Sequence, residues 1–479
     1  MTNQPQRRSS GPGPAGRTVS ASTLKGMALR FVILGGGPAG NSAASHAARL
    51  GAEVTLVERD VVGGAAHLWD CIPSKAMIAT GGALAAVGRS EEMGLTTAVA
   101  ELDTQALKAR IASIEATLEQ GTRQLLDSQR VRILRGTGRL TGPHDVVVET
   151  EEGAAELEAD AILLATGSRP RVPPWAEPDG ERVLSTRQAY PPARWPTHLV
   201  VIGSGVTGVE FVHMFSSLGS QVTLVVSRQH VLPQKDPEVA AALEDELLRR
   251  GVALYKGARA EGIDRDGDEI VVRCDDGRVA RGSHALLAIG SVPNSDGLGL
   301  EAAGVEVDAD GYVPVDHLCV TNVPHIYAAG DLSGKLPLSS VASMQGRKIA
   351  GHMMGYQAHS SRALDYDKAA SAIFTVPEIA DVGLAEADAF AQGRKVRVTK
   401  VPFSASAKAL IESHTRGFVK IVSDPATGVV LGGSVVGRHA GELISVLAVA
   451  VTNGLSVNDI VDSLLVHPSL AEALAEAAE

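Results

Sequence analysis

The hydrophobic pattern opens with a short apolar run at residues 31–34, followed by a glycine-rich turn, an alanine-rich segment and a second apolar run ending in Glu58: RFVILGGGPAGNSAASHAARLGAEVTLVERD. Short apolar runs bounded by turn residues suit buried strands of a parallel sheet, and the segment between them has room for one helix. The predicted order is strand, turn, helix, strand. The same order returns at residues 198–228, HLVVIGSGVTGVEFVHMFSSLGSQVTLVVSR. Between these units the pattern predicts helices over 73–90 and 103–128. In the second of them Leu107, Ile111, Ile114, Leu118 and Leu125 share one face, as in a helix that packs on a core. Strand-like segments ending in ILLATGSRP follow, then RPRVPPW and YPPARWP, whose prolines mark a domain boundary. Another strand leads into IYAAGD, and the region beyond residue 366 carries β-rich runs such as GFVKIV and GVVLGGSVVG before a helical stretch at 441–453. The predicted fold class is α/β, with two Rossmann-like dinucleotide-binding domains and a C-terminal α+β domain.

Composition changes this picture mainly by exclusion. The 479-residue chain carries 44 basic and 55 acidic residues, a formal charge of -11, and has no Lys/Arg-rich block. No nucleic-acid partner is expected. Cys71, Cys274 and Cys319 are scattered and odd in number, which fits a reducing, cytoplasmic compartment and gives neither a disulfide scaffold nor a metal site. Apolar runs such as LISVLAVAV fall short of the ~18 residues that a membrane-spanning helix needs, so no membrane span is expected. Residues 1–26 are rich in Gly, Pro, Ser and Thr and lack the apolar segment of a signal peptide; they read as a disordered tail.

The turns carry the first chemistry. Gly35, Gly37 and Gly40 form GxGxxG between strand and helix, and Glu58 closes the second strand. In that context the glycines serve the tight turn and the close approach of a pyrophosphate, and the carboxylate serves ribose hydroxyls. Gly203, Gly205 and Gly208 repeat the motif, so two dinucleotides are expected. The second unit ends in Val226, Ser227 and Arg228, without an acidic residue. A carboxylate there would repel a 2′-phosphate that Arg228 could bind, which favours NADPH and leaves NADH possible. The plain alternative is a solvated surface arginine.

GGGPAG with Glu58, CIPSK, ATGSRP, GSGVTGVE, YAAGD, FTVPEIADVG and HPSLAE occur in this order, and together they make the chain resemble the pyridine nucleotide-disulfide oxidoreductases. That family of flavoproteins includes dihydrolipoamide dehydrogenase, glutathione reductase and mercuric reductase. The resemblance runs from residue 29 to 479. It implies an FAD-binding domain split over 27–172 and 299–366, an inserted NAD(P)-binding domain at 173–298, and a dimerisation domain at 367–479 of a homodimer. It implies that Gly35, Gly37, Gly40 and Glu58 hold the ADP half of FAD, that Thr166 and Gly167 pass near its pyrophosphate, and that Asp331 hydrogen-bonds the ribityl chain. Gly203, Gly205 and Gly208 would hold NAD(P)H. Lys75 and Glu210 match the pair beside the flavin, where a lysine cation can stabilise the reduced ring. His467 and Glu472 match a dyad that serves a substrate thiol as acid and base from the other subunit, with a packing role in the dimer as the alternative.

The chain departs from the family at GGAAHLWDCIPSK. Cys71 is the second cysteine of the redox pair, and Ala66 stands in place of the first. Ordinary thiol–disulfide exchange needs an attacking and a resolving thiol, so it is excluded. Hydride transfer needs only the flavin, the second nucleotide site and Lys75. The expected function is an FAD-dependent NAD(P)H:quinone oxidoreductase, resembling family members with a GGAA-type segment. A soluble pyridine nucleotide transhydrogenase is the alternative enzyme, since those proteins also have a broken cysteine pair and a tryptophan matching Trp69. A dihydrolipoamide dehydrogenase-like enzyme and a non-catalytic flavoprotein remain further readings. Cys71 precedes the start of a helix at Pro73 with Lys75 close by, a setting that suits an activated thiol; filling space under the flavin is the bland reading.

Overall fold

The computed structural model describes residues 28–96, 99–356 and 363–479, and the tail expected at 1–26 lies outside them. The first apolar run becomes β1 (Arg30–Leu34), at the centre of a parallel five-stranded sheet. On one side it pairs with β2 (Glu53–Glu58), which pairs in turn with Arg132–Arg135. On the other it pairs with Ala161–Leu164, and beyond that lies Ile326–Ala328. A strand from far along the chain thus completes the sheet. Phe31 and Ile33 pack beneath α1 (Pro38–Arg49), while Val32 and Leu34 pack towards Val146 and Val148 of a three-stranded antiparallel sheet. Both faces of β1 are covered, which is why its sequence is apolar throughout instead of alternating.

The second unit repeats this plan. His198–Ile202 is the central strand, flanked by Gln221–Val226 and His284–Leu287, with Ala253–Lys256 and Val183–Ser185 at the edges, all parallel. The third sheet is antiparallel and runs Ser371–Ile373, Glu378–Gly383, Val430–Gly437, Phe418–Ser423, Arg397–Pro402. Lys420, only 2% exposed on that sheet, donates to Asp236 at 3.1 Å, Glu238 at 2.9 Å and Glu386 at 2.8 Å. The buried cation ties the second unit to the C-terminal sheet, and its carboxylates offset its loss of water.

Two elements differ from expectation. In α3 (Thr104–Ser128), following α2 (Ile72–Gly88), Leu107 and Ile111 are buried and Ile114 partly so, but Leu118 and Leu125 are 37% and 51% exposed. The helix joins one core through its first turns and another through Leu126 at its far end, so its apolar stripe is covered at the ends and open between. The run Ala66–Gly88 is also long and apolar enough, by length and composition, to cross a membrane, which corrects the expectation of no such segment. It packs on α3 and on α4 (Val206–Ser217), and its Lys75 is ion-paired, as in a helix within a folded domain.

Candidate flavin and nucleotide site

Gly35 turns the chain out of β1 with φ +108°, and a Cβ there would collide with the carbonyl of Ala165. A Cβ on Gly40 would collide with the carbonyl of Gly35. At Gly37, which caps α1, nothing lies within 4 Å of that position. The turn, the helix–strand contact and the open approach to the helix amides thus divide among three glycines, as phosphate binding requires. Glu58 is fixed at the rim: Gly36 N–H donates to its Oε2 at 2.7 Å and Asp60 N–H to its Oε1 at 2.8 Å. Burial pushes its carboxyl above the usual range, against those two backbone donors. The open cradle over Gly37, beside a fixed carboxylate, fits the ADP half of a flavin dinucleotide.

The second turn is built the same way. Gly203 has φ +112° against the Ala288 carbonyl, Gly208 abuts the Gly203 carbonyl, and Gly205 faces open space. Leu34 pairs with Val57, and Ile202 pairs with Val225, so Val226 occupies the place of Glu58. Val226 is fully buried, whereas Ser227 and Arg228 are exposed. The Arg228 carbonyl accepts from Gly257 N–H at 2.9 Å, and its guanidinium has no hydrogen bond or ion pair among the described residues.

Between the two turns lies the redox segment. Ala66–Asp70 forms a π-helical turn that runs into α2, with Pro73 in the first turn of that helix. Cys71 N–H already donates to the Ala66 carbonyl at 3.2 Å. The bare helix N-terminus expected beside Cys71 is therefore absent, because the chain arrives already helical. Cys71 Sγ lies 3.5 Å from Ser339 Oγ, while Cys274 and Cys319 are free thiols buried in other cores. One turn further on, Lys75 Nζ donates to Glu210 Oε2 at 3.0 Å and lies 4.8 Å from the centre of the Phe374 ring. Glu210, 7% exposed, also accepts from Phe374 N–H at 2.9 Å. Lys75 comes from α2 and Glu210 from α4, so the pair forms where those two helices pack.

Close to the redox segment, where Asp331 acts on Asp70, Gly167 takes φ +68° facing open space, and Ser168 Oγ donates to Asp331 Oδ2 at 2.6 Å. The Thr166 hydroxyl donates to the Asn294 carbonyl at 2.8 Å, which clasps two chain segments together. His467 and Glu472 form their own pair on the C-terminal surface, Nδ1 to Oε1 at 2.6 Å, with His467 74% exposed. The Ser469 N–H and the imidazole together hold the Glu472 carboxyl below its usual range. No hydrogen bond or ion pair among the described residues links this dyad to Cys71, Lys75 or Glu210 of the same chain. Nor do the described residues place three or more His, Cys, Asp or Glu side chains to hold a metal ion.

Sequence reading missed three residues of this site, Arg187, Asp70 and Tyr190. Arg187 sets its guanidinium 4.3 Å over the Trp69 ring and donates Nη2 to the Ser168 carbonyl at 2.8 Å. Burial pushes the Asp70 carboxyl up to about 6; the Arg187 and Lys75 cations pull against this, and Asp331 adds to it. Asp70 is nonetheless exposed, so water lessens that shift. Tyr190 stacks on Phe211 with ring centres 5.0 Å apart, and burial raises its phenol. A signal for Asp70 lay in GGAAHLWDCIPSK itself; Arg187 and Tyr190, in a proline-rich linker, carried none.

Comparison with known proteins agrees with this architecture. Residues 29–346 match the pyridine nucleotide-disulphide oxidoreductase model and residues 369–478 match the dimerisation domain of the same class. The chain is 42% identical over 464 residues to an NAD(P)H dehydrogenase (quinone) of Mycobacterium tuberculosis, covering 94% of each chain. It is 34% identical over 451 residues to a dihydrolipoyl dehydrogenase of Zymomonas mobilis, covering 93% of this chain and 96% of that one. The crystal structure of LpdA from Mycobacterium tuberculosis superposes with a TM-score of 0.89 at 42% identity, over 94% of this chain and 99% of that chain. These relatives imply an oxidoreductase that uses a flavin and a nicotinamide cofactor. The chain belongs to the pyridine nucleotide-disulphide oxidoreductase family.

Proposed function

We propose that the protein is an FAD-dependent NAD(P)H:quinone oxidoreductase that works without a redox-active disulfide. The observation that carries this reading is Ala66 at the start of the turn presenting Cys71, whose sulfur faces Ser339 and no second thiol. The quinone reductase name of the 42% identical relative supports the same acceptor. Gly35, Gly37 and Gly40 admit the FAD pyrophosphate to the α1 amides, Glu58 orients its ribose, and Gly167 and Asp331 border the rest of the cofactor. Bound flavin supplies hydride acceptance from a nicotinamide and hydride donation to an acceptor. Lys75, held by Glu210, sets a positive charge beside that chemistry. Gly203, Gly205 and Gly208 receive the nicotinamide dinucleotide, and the unpartnered Arg228 favours NADPH by binding its 2′-phosphate.

A homodimer follows from the dimerisation domain, and the fully exposed Leu464 and the 75% exposed Val466 beside His467 support burial of that edge against a second copy. With no substrate thiol to serve, His467 and Glu472 belong to that contact. Anaerobic reduction by NADPH, followed by mixing with benzoquinone, an NAD analogue, lipoamide or peroxide, tests the reading. Rapid reoxidation by the quinone is the expected result. Flavin that reduces but is not reoxidised by any quinone overturns it, and brisk lipoamide turnover overturns the argument from Ala66.

A further inference from the structure

Two opposite charges stand unpaired in the cleft beside Lys75. Asp70 closes the π-helical turn just before Cys71, and among the described residues its carboxyl accepts no hydrogen bond and makes no ion pair. Arg187 reaches the same cleft from the linker, stacked on Trp69 and anchored through Nη2 to the Ser168 carbonyl. Its Nε is buried and has no hydrogen-bond partner among the described residues. Each charge acts on the other, yet no salt bridge closes the distance between them. Other arginines do find carboxylates: Arg169 meets Asp296 at 2.6 Å and Arg182 meets Asp268 at 3.4 Å. An open acid–guanidinium pair is a slot with a proton source on one side and an anion holder on the other.

The groups facing Asp70 define that slot. Lys75 and Cys71 come from α2 and its cap, Arg187 and Tyr190 from the linker, and Asp331 from the turn Gly330–Ser333, with Glu210 behind Lys75. The Tyr190 hydroxyl makes no hydrogen bond among these residues. Two-electron reduction of a quinone consumes a hydride and one proton, and a site that has lost its thiol relay still has to supply the proton.

We propose that Asp70 is the proton donor to the acceptor and that Arg187 holds the acceptor oxygen that becomes negative. This inference rests on the quinone reading above. NADPH supplies the hydride with its electron pair and becomes NADP+, and the quinone becomes a hydroquinone monoanion with its charge on a ring oxygen. The O–H bond of Asp70 then breaks, a new O–H bond forms on that oxygen, and the Asp70 carboxylate recovers a proton from water. The sum is NADPH, a proton and a quinone going to NADP+ and hydroquinone.

The test uses holoenzyme carrying Asp70→Asn or Asp70→Glu, with 1,4-benzoquinone and ferricyanide as alternative oxidants. Ferricyanide accepts electrons without protons, so the ratio of quinone to ferricyanide rates isolates the proton step. That ratio falls about 100-fold in Asp70→Asn and stays within about tenfold in Asp70→Glu. Wild-type kcat/KM for benzoquinone falls as pH rises through the Asp70 titration, above the ordinary aspartate range and at or below about 6 where water reaches the carboxyl, because ionisation of Asp70 removes the donor, and the fall is absent in Asp70→Asn. Carbon NMR of labelled aspartate gives a second readout independent of turnover: a carboxyl signal lost in Asp70→Asn titrates above the ordinary aspartate range, and moves higher in Arg187→Met. A ratio unchanged within twofold, in wild-type background that does reduce quinone, overturns the inference alone. Wild type that reduces ferricyanide but no quinone overturns the proposed function and this inference with it.

Discussion

The two dinucleotide units share one turn and differ at one rim. Both turns put glycine where a side chain would strike a backbone carbonyl, at Gly35 and Gly40 in the first and at Gly203 and Gly208 in the second. At the rim, Glu58 is fixed by two backbone amides, whereas its counterpart Val226 is buried and apolar, and the exposed Ser227 and Arg228 follow it, with the Arg228 guanidinium unpartnered among the described residues. The turn is dictated by close backbone packing and so recurs whatever the ligand. The rim is where the ligand is chosen: a carboxylate built into the fold suits a resident cofactor, and an open cation suits a phosphorylated substrate that enters and leaves.

The largest effects come from breaking the shared turn in one unit at a time. Gly40→Val and Gly208→Val each force side-chain atoms against a turn carbonyl and cost about 3 kcal/mol in denaturant unfolding. If the units divide the labour as described, Gly40→Val purifies without flavin, while Gly208→Val keeps flavin that NADPH reduces poorly. Loss of flavin in both would break the comparison. Next in size is the bond between the units. Lys75→Met leaves the buried Glu210 carboxylate with only the Phe374 amide and costs about 2 kcal/mol, reduced from a fully buried pair because Lys75 is one third exposed. It also slows reduction of the flavin by NADPH, as stopped-flow absorbance would record.

The rims come next. Glu58→Gln turns one acceptor towards a backbone N–H donor as an amide NH2, which costs about 1 kcal/mol and weakens flavin retention without changing the NADPH to NADH ratio. Arg228→Asp does the reverse, raising KM for NADPH roughly fivefold and leaving NADH kinetics and flavin content unchanged. The smallest effect is at His467: His467→Ala changes quinone turnover by less than about twofold, since a route without a substrate thiol gives the imidazole no proton to move.

The features legible in the sequence are those set by neighbours close along the chain. FVIL followed by GxGxxG encodes strand, turn and helix because the glycines answer to backbone atoms a few residues away or on the adjacent strand. Lys75 and Glu210 were reachable through their motifs, although nothing in the spacing of 75 and 210 says that α2 packs on α4. The helical entry into Cys71 escaped because Ala-His-Leu-Trp-Asp offers no proline or glycine to reveal how the turn winds. The stripe on α3 misled because periodicity shows which residues share a face but not how far the neighbouring helices extend. Asp70, Arg187 and Asp331 come from three distant segments, so their meeting is a property of the assembled fold. The Thr166 hydroxyl is likewise committed to Asn294, a partner that only the packed structure reveals.

The central claim is that electrons pass between nicotinamide, flavin and acceptor with no disulfide storing a second pair. Anaerobic titration of the holoenzyme with dithionite, followed by the visible absorption of the flavin, counts those electrons directly. The account predicts complete bleaching at one two-electron equivalent per flavin, with no intermediate that absorbs at longer wavelength after the first equivalent. A requirement for two equivalents per flavin would contradict it, because a second redox pair would then be present despite Ala66.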